Sequence, residues 1–494
     1  MPRPLGGSSG LEPPIRSALR ISMHTGGEVP SVTKSVFRTR LEERQPRASG
    51  DRRWVFVPYD QLTDAVGPLA ETDAERLGIV VVECPAKGAR RPYHRQKLAL
   101  VIANLRQFAL EQAERGVAVR HIVAERDYGA ALAPLADELG PLVCMEPAER
   151  ELRQDLQPLV ARGALRMVPH AGWMSTPTDF QTAHPRGAPF RMDRFYRQVR
   201  RSTGVLMDGA GEPVGGKFSF DPENREAWYG APPAPTPPRF TPDAVTEEVL
   251  ELIAIRYADH PGRLDAESLP ATAADAETLW IWAQRECLPA FGPFQDAMST
   301  RSSSLFHARI APLLHLHRLL PQRVVADALA LDLPIASCEG FVRQVLGWRE
   351  FVRHVHRETD GFRTIAADAA PRFFASATEP LPPAFWGEPS GLHCLDTVVG
   401  DVWREGYGHH ITRLMVLANI ATLLDVSPRE LTDWFWVAYT DAFDWVVEPN
   451  VLGMGTFAVG DLMTTKPYVA GSNYIDKMSD YCDGCAFDPK KTCP

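Results

Sequence analysis

Between residues 54 and 168 the chain alternates short apolar runs with longer amphipathic stretches. The runs Trp54-Val-Phe-Val-Pro-Tyr59, Gly78-Ile-Val-Val-Val-Glu-Cys84, Val117-Ala-Val-Arg-His-Ile-Val123, Pro141-Leu-Val-Cys-Met145 and Leu165-Arg-Met-Val168 are brief and β-rich, as buried strands are. Helical patterns such as Arg95 to Arg115 and Ala148 to Ala161 separate them. Strand alternating with helix predicts a parallel sheet wrapped by helices, an α/β, Rossmann-like domain over residues 51–170. Residues 1–50 are rich in Gly, Ser, Pro and Arg with little periodicity, and read as a flexible extension or the product of a start placed too early.

From Ala171 to Thr241 the periodicity is lost, ending in Ala231-Pro-Pro-Ala-Pro-Thr-Pro-Pro238, which suits neither a helix interior nor a central strand. Residues 171–241 therefore read as an interdomain connection. Within it, Pro213 to Arg225 combines paired glycines, aromatics and charges, the composition of a loop folded onto a surface. Beyond it the pattern is helical over 242–494, through Thr278 to Leu288, Glu339 to Val355, Cys394 to Asp425 and Arg429 to Val437. Ser427-Pro428 supplies a helix cap followed by proline in the first turn. The expected fold class is α/β plus all-α.

Composition narrows the function. With 45% hydrophobic residues and no apolar run of the roughly 18 residues that span a bilayer, the chain predicts a soluble multidomain protein with no membrane partner. A formal charge of −9 argues against a general nucleic-acid coat but allows a local basic groove. In parallel sheets ligands bind beyond the carboxyl ends of the strands, where Asp60, Gln61 and Glu83 stand. These residues are candidates to read a small polar ligand, or they only cap helices and face water. No GxGxxG motif accompanies them, which disfavours a dinucleotide dehydrogenase.

Eight cysteines are too few for a disulfide scaffold, and no apolar signal segment precedes them, so a reducing cytoplasm is expected. Cys482-Asp-Gly-Cys485 lets two thiolates converge, Cys493 can return as a third ligand, and Cys394 is the best-placed fourth. Cys84 and Cys144 read as core thiols. Spacing leaves zinc, an iron-sulfur cluster and free thiols all open.

Four segments then converge: Gly340-Phe-Val-Arg-Gln-Val-Leu-Gly-Trp-Arg-Glu-Phe351, Gly408-His-His-Ile-Thr-Arg-Leu-Met-Val-Leu-Ala-Asn419, Glu448-Pro-Asn-Val-Leu-Gly-Met-Gly455 and Thr465-Lys-Pro-Tyr-Val-Ala-Gly-Ser-Asn-Tyr-Ile475. Together, from about Trp54 to Pro494, they resemble the cryptochrome/photolyase superfamily, and with the cysteine tail the bacterial iron-sulfur photolyases that repair the (6-4) photoproduct. The resemblance implies a helical FAD-binding domain, an antenna domain holding a ribityllumazine against Asp60, Gln61 and Glu83, and a [4Fe-4S] cluster on Cys394, Cys482, Cys485 and Cys493. It implies UV-damaged DNA as partner, and a monomer is expected. His410 becomes the proton donor to a flipped lesion with His409 as its support, although a histidine pair on a helix otherwise reads as one core and one surface residue. Trp348, Arg349, Glu350, Arg353, Arg413, Asn419, Asp441, Asn450 and Met454 fall in the flavin segments. On spacing alone Glu350 and Arg353 would be a helix-face ion pair.

Trp386, Trp434, Trp436 and Trp445 lie near those segments, and Trp386 and Trp434 match electron-relay positions, with Phe435 where a tyrosine is frequent. Lys217, Arg225, Lys466 and Tyr468 are candidates to hold phosphates or stack beside the lesion. Two departures stand out. The family's serines and asparagine are replaced by Ala308, Ala311 and His315, for which Ser302, Ser303 and Ser304 are possible substitutes, and relatives continue past the last cysteine. Light-driven repair leads, ahead of a cryptochrome-like receptor without repair and a zinc-stabilised nucleic-acid-binding protein.

Overall fold

The computed structural model describes residues 35–46, 51–363 and 377–494. Five parallel strands, β1 (Arg53–Phe56), β2 (Leu77–Glu83), β3 (Ala118–Val123), β4 (Leu142–Met145) and β5 (Leu165–Val168), form one sheet in the order β3-β2-β1-β4-β5. All seven residues of β2 are buried, as the unbroken apolar run requires of a strand covered on both faces. Val55 pairs with Ile79 on one side and Val143 on the other. The strand order therefore reverses beside β1, which opens a crevice between the loops after β1 and β4.

Helix Arg95–Glu114 covers the sheet. It is capped by His94, whose Nδ1 accepts from the Gln96 amide at 3.0 Å. The apolar residues of sheet and helices run together as one core, and a smaller cluster gathers around Trp228, Ala297, Leu305 and Phe306. Among the described residues no helix is long and apolar enough to cross a membrane.

Three expectations are corrected. Part of the supposed extension is ordered: Val36–Arg44 is a helix whose Phe37 is fully buried edge-on against the His121 ring, and Arg40 pairs with Asp243 at 2.9 Å. Residues 1–34 and 47–50 of that extension lie outside the described residues. The connection contains helices Pro177–Ala183 and Met192–Thr203. The first starts with a reciprocal Thr176–Asp179 capping box, and the second is amphipathic, burying Phe195, Tyr196, Val199 and Arg200 along one stripe.

The third correction shapes the site. Cys394 to Asp425 is not one helix: His393–Glu405 ends at Gly406, whose φ of 61° lies in the left-handed region, and the helix restarts at His410. On both sides of this break, Arg343–Arg349, Thr412–Ala418 and Glu448–Gly455 are wound in wider π-type turns. By contrast Pro428–Ala438 is a regular helix capped by the Ser427 hydroxyl.

Candidate functional site

The three wide-turn segments face one another around a cavity of about 440 Å³. They contribute Arg343, Trp348 and Arg349, then Arg413 and Ala418, then Asn450 and Met454, while Ala308, Ala311, His315, Tyr407, His409, His410, Phe435 and Asp441 stand among the other lining residues. The volume and the mixture of apolar walls with a few convergent polar groups suit a bound small molecule or cofactor. Wide turns displace side chains from the ordinary helical register, and their recurrence at functional sites fits their position here.

Arg413 grips both oxygens of Asp441 at 2.9 Å, donates from Nε to the Gly408 carbonyl at 2.7 Å, and lies 4.0 Å over the Tyr439 ring. Burial pushes the Asp441 carboxyl up, but the Arg413 charge and hydrogen bonds outweigh it and hold the pKa below the usual range. The pair therefore stays ionised in the cavity wall. Beside it His315 meets the Asp441 carbonyl through Nδ1 at 2.9 Å, and burial holds that imidazole down at about 3, so it is neutral.

Not every flavin-segment residue reaches the cavity. Arg349 does, donating to Glu350 at 3.1 Å and to the Leu314 carbonyl at 3.0 Å over the Trp173 ring, and burial lowers its pKa to about 10. Glu350 and Arg353 stand behind the lining. Glu350 has no exposure and accepts from the Ser175 hydroxyl at 2.7 Å and amide at 3.1 Å, while Arg353 donates to the Ser175 carbonyl at 2.9 Å. They form a buried clamp, not a solvated helix-face pair. Asn419 also lies outside the lining: its side-chain amide exchanges two hydrogen bonds with the Ala470 backbone, at 2.9 and 3.0 Å, and staples that segment. Ser302, Ser303 and Ser304 line an adjoining polar cavity of about 580 Å³, which shares Arg309 and Tyr407 with the first.

At the mouth, His410 is partly exposed and its Nε2 lies 3.6 Å from Asp296. His409 is 3% exposed, and burial with the charges of His410 and Arg413 holds it well below the usual histidine pKa. Neither of its ring nitrogens has a partner. A third imidazole, which the sequence reading missed, stacks on it: His307 lies 4.6 Å from His409 and 5.2 Å edge-on from His410. Orphaned buried polar atoms at His409, Arg343 Nη2 and Arg349 Nε are the donor and acceptor set that a polar cofactor or flipped base would satisfy.

Phe435 in the wall touches the fully enclosed Trp434 at 5.2 Å. Trp434 meets Trp403 edge-on at 5.9 Å, and Trp403 stacks on Trp386 at 5.5 Å, where the side chain is 41% exposed. Both Trp403 and Trp434 donate their indole N–H to the Phe385 carbonyl at 2.9 Å. Trp403 was not singled out in the sequence because no motif surrounds it in the last turn of helix His393–Glu405; its link to Trp434 is tertiary.

Cys394, Cys482 and Cys485 are half-buried, as is Cys493, and the Cys482–Cys485 turn is closed by a 3.2 Å backbone hydrogen bond. Burial raises Cys394 and Cys482 to about 11, and the charges of the neighbouring thiols add to it. Among the described residues no three of these sulfurs fall within 4.8 Å of one another. A single tetrahedral zinc would need sulfurs roughly 3.8 Å apart. The tail thus folds back toward Cys394, whose thiol feels the charges of the three tail thiols.

In the sheet crevice, Gln61 donates to the Met145 carbonyl at 2.8 Å and Asp60 accepts from the Ala148 amide at 3.2 Å, so both bridge β1 and β4. Burial lifts Asp60 to about 6 and its Oδ1 has no partner. Glu83 is placed differently: both oxygens are held by Arg106, at 2.6 and 3.1 Å, and one by His121 at 2.9 Å. It touches a small cavity of about 90 Å³ with Lys87, Tyr93 and Lys97, whose lining does not include Asp60 or Gln61. The structure therefore does not unite these three residues in one cavity. Of the four DNA candidates, Arg225 and Tyr468 line the cavity of the wide-turn segments, while Lys217, paired with Glu223, and exposed Lys466 do not.

A profile of the family described as deoxyribodipyrimidine photo-lyase-related protein matches residues 55–269. The chain is 31% identical over 450 residues, 88% of its length and 87% of the relative's, to a (6-4) photolyase of Agrobacterium fabrum. Among solved structures it is similar to a class III photolyase from Agrobacterium tumefaciens (TM-score 0.55, 16% identity, 89% of this chain and 86% of that one). It is also similar to a cryptochrome from Synechocystis (TM-score 0.62, 12% identity, 87% of each chain). At those identities the two structures speak for the fold alone.

Proposed function

The chain belongs to the cryptochrome/photolyase superfamily, in its bacterial (6-4)-like branch, and from that premise we propose that it is a light-driven lyase acting on the (6-4) pyrimidine photoproduct in DNA. Photolyase-type repair of DNA and an FAD cofactor follow from the family. The observation that carries the finer reading is His410, half-open at the mouth of the cavity of the wide-turn segments with neutral His409 buried behind it. A lesion swung out of the duplex would enter there, where a partly exposed imidazole can hand over a proton.

Reduced FAD excited by light would supply the electron that opens the lesion. The residues fitted to hold FAD are Arg413 and Asp441, which present a fixed ion pair, with Arg349, Asn450, Met454 and Trp348 around them. Glu350 and Arg353 act from behind by locking Arg349, and Asn419 acts by fixing the 470 segment. Trp434, Trp403 and Trp386 supply an electron path to the surface. The four thiols, no three of which lie within 4.8 Å of one another among the described residues, are fitted to hold a [4Fe-4S] cluster that ties the tail to helix His393–Glu405. A ribityllumazine antenna would use Asp60, whose unpartnered oxygen is the feature in the crevice that calls for a ligand. Arg225 and Tyr468 are placed to meet DNA beside the cavity.

Substitutions in the cavity lining favour a second reading, a flavin photoreceptor without repair: Ala308, Ala311 and His315 replace the hydroxyls and amide expected there. Blue light on reduced, FAD-loaded protein with oligonucleotides carrying one (6-4) or one cyclobutane lesion decides between them. Restoration of the (6-4) substrate is expected. Repair of neither lesion would favour the receptor.

A further inference from the structure

We propose that His307, His409 and His410 form a binding site for a borderline divalent cation of the zinc class, and that its occupation blocks repair. One ligand atom from each ring lies within 4.8 Å of the other two, close to the spacing of roughly 3.3 Å that three nitrogens adopt around a tetrahedral ion. Rotation of the exposed His410 ring supplies the approach.

The imidazoles are prepared as ligands in ways unrelated to their proximity. His307 directs Nε2 to the Gln295 carbonyl at 3.1 Å, the carbonyl contact that fixes a ligating histidine's tautomer and leaves Nδ1 with its lone pair. His409 is buried with both nitrogens unpartnered, so a free lone pair is held inside the protein with nothing bonded to it. Asp296, 3.6 Å from His410 Nε2, supplies a carboxylate beside the three imidazoles. Arg225 Nε lies 3.9 Å from the other oxygen of Asp296, and Arg413 is neutralised by its two bonds to Asp441. Nitrogen donors select zinc, cobalt, nickel or copper over magnesium and calcium.

A metal ion here would occupy the lone pair of His410 and stand where the lesion enters. The blocking half of the inference rests on the repair reading; the binding half does not. Zinc ions are therefore counted by equilibrium dialysis against FAD-loaded, cluster-bearing full chain, in parallel with His307→Gln and with His410→Gln, whose side chain is exposed enough to change without disturbing the core. Wild type is expected to hold one zinc more per chain than either variant, with at least tenfold tighter binding, and magnesium at equal concentration is expected not to displace it. Light-driven repair by wild type should fall at least tenfold when zinc saturates that site and recover on chelation. Equal zinc counts in wild type and His410→Gln, or displacement by magnesium, would overturn the site. Bound zinc with undiminished repair would overturn the blockade alone.

Discussion

At the residue scale, burial and pairing decide which ionisable groups do chemistry and which hold the molecule together. His410 combines exposure with a buried neutral neighbour, so His410→Ala is expected to abolish (6-4) repair while flavin absorbance is retained; unchanged repair would refute the proton-donor role. Glu448 shows the opposite behaviour. It is fully buried, and although burial alone would raise its pKa, His356 at 3.0 Å and Arg363 at 3.1 Å hold it at about 2, below its ordinary 4.5, with Arg429 at 2.9 Å as a third partner. A carboxylate depressed on folding stabilises fully above pH 4.5 and loses that contribution as pH falls toward 2, here roughly 3 kcal/mol. Denaturant midpoints should decline across that window. Glu448→Gln should be less stable at neutral pH with a flatter acid limb. The partners of Glu448 come from two distant segments, 356–363 and Arg429, so no spacing in the sequence indicated them.

At the element scale, the interruption at Gly406 brings the two histidines to the cavity. A continuous helix from Cys394 to Asp425 is what the apolar periodicity predicts, because the pattern on either side of the break is helical. Gly406 alone signals the stop, and its neighbours explain the need: an added Cβ would lie 2.9 Å from the Thr440 methyl, while its carbonyl accepts from the Thr440 amide at 2.9 Å. Gly406→Ala is expected to cost about 1–2 kcal/mol in chemical denaturation from the left-handed backbone alone. It should also weaken FAD retention, since Arg413 and Asp441 follow directly from that turn and its pairing. Full stability and retention in the variant would show that the helix can end there without glycine. The wide turns of the other cavity segments have no such marker, because their register is set by packing across the cavity and not by local propensity.

At the scale of the whole molecule, the sheet and the helical part are joined through the same ring that completes the aromatic path. His94, the cap of the long helix over the sheet, stacks on Trp403 at 5.9 Å and donates from Nε2 to its carbonyl at 3.2 Å, and burial keeps it neutral at about 4. Trp403→Phe should slow photoreduction of FAD more than tenfold at unchanged FAD content; an unaltered rate would mean that electrons leave Trp434 by another route. The strands, the sheet class and most helices follow from local hydrophobic pattern, since a run such as Leu77–Glu83 can be satisfied only by burial on both faces. The order of cysteines and the flavin segments are likewise properties of the sequence. Strand order, the third histidine, the Trp403 bridge and the retreat of Glu350, Arg353 and Asn419 from the cavity were decided by tertiary structure. Each depends on which distant side chain fills the opposite side of a contact, and one-dimensional periodicity records how a residue faces its own element, not what it meets.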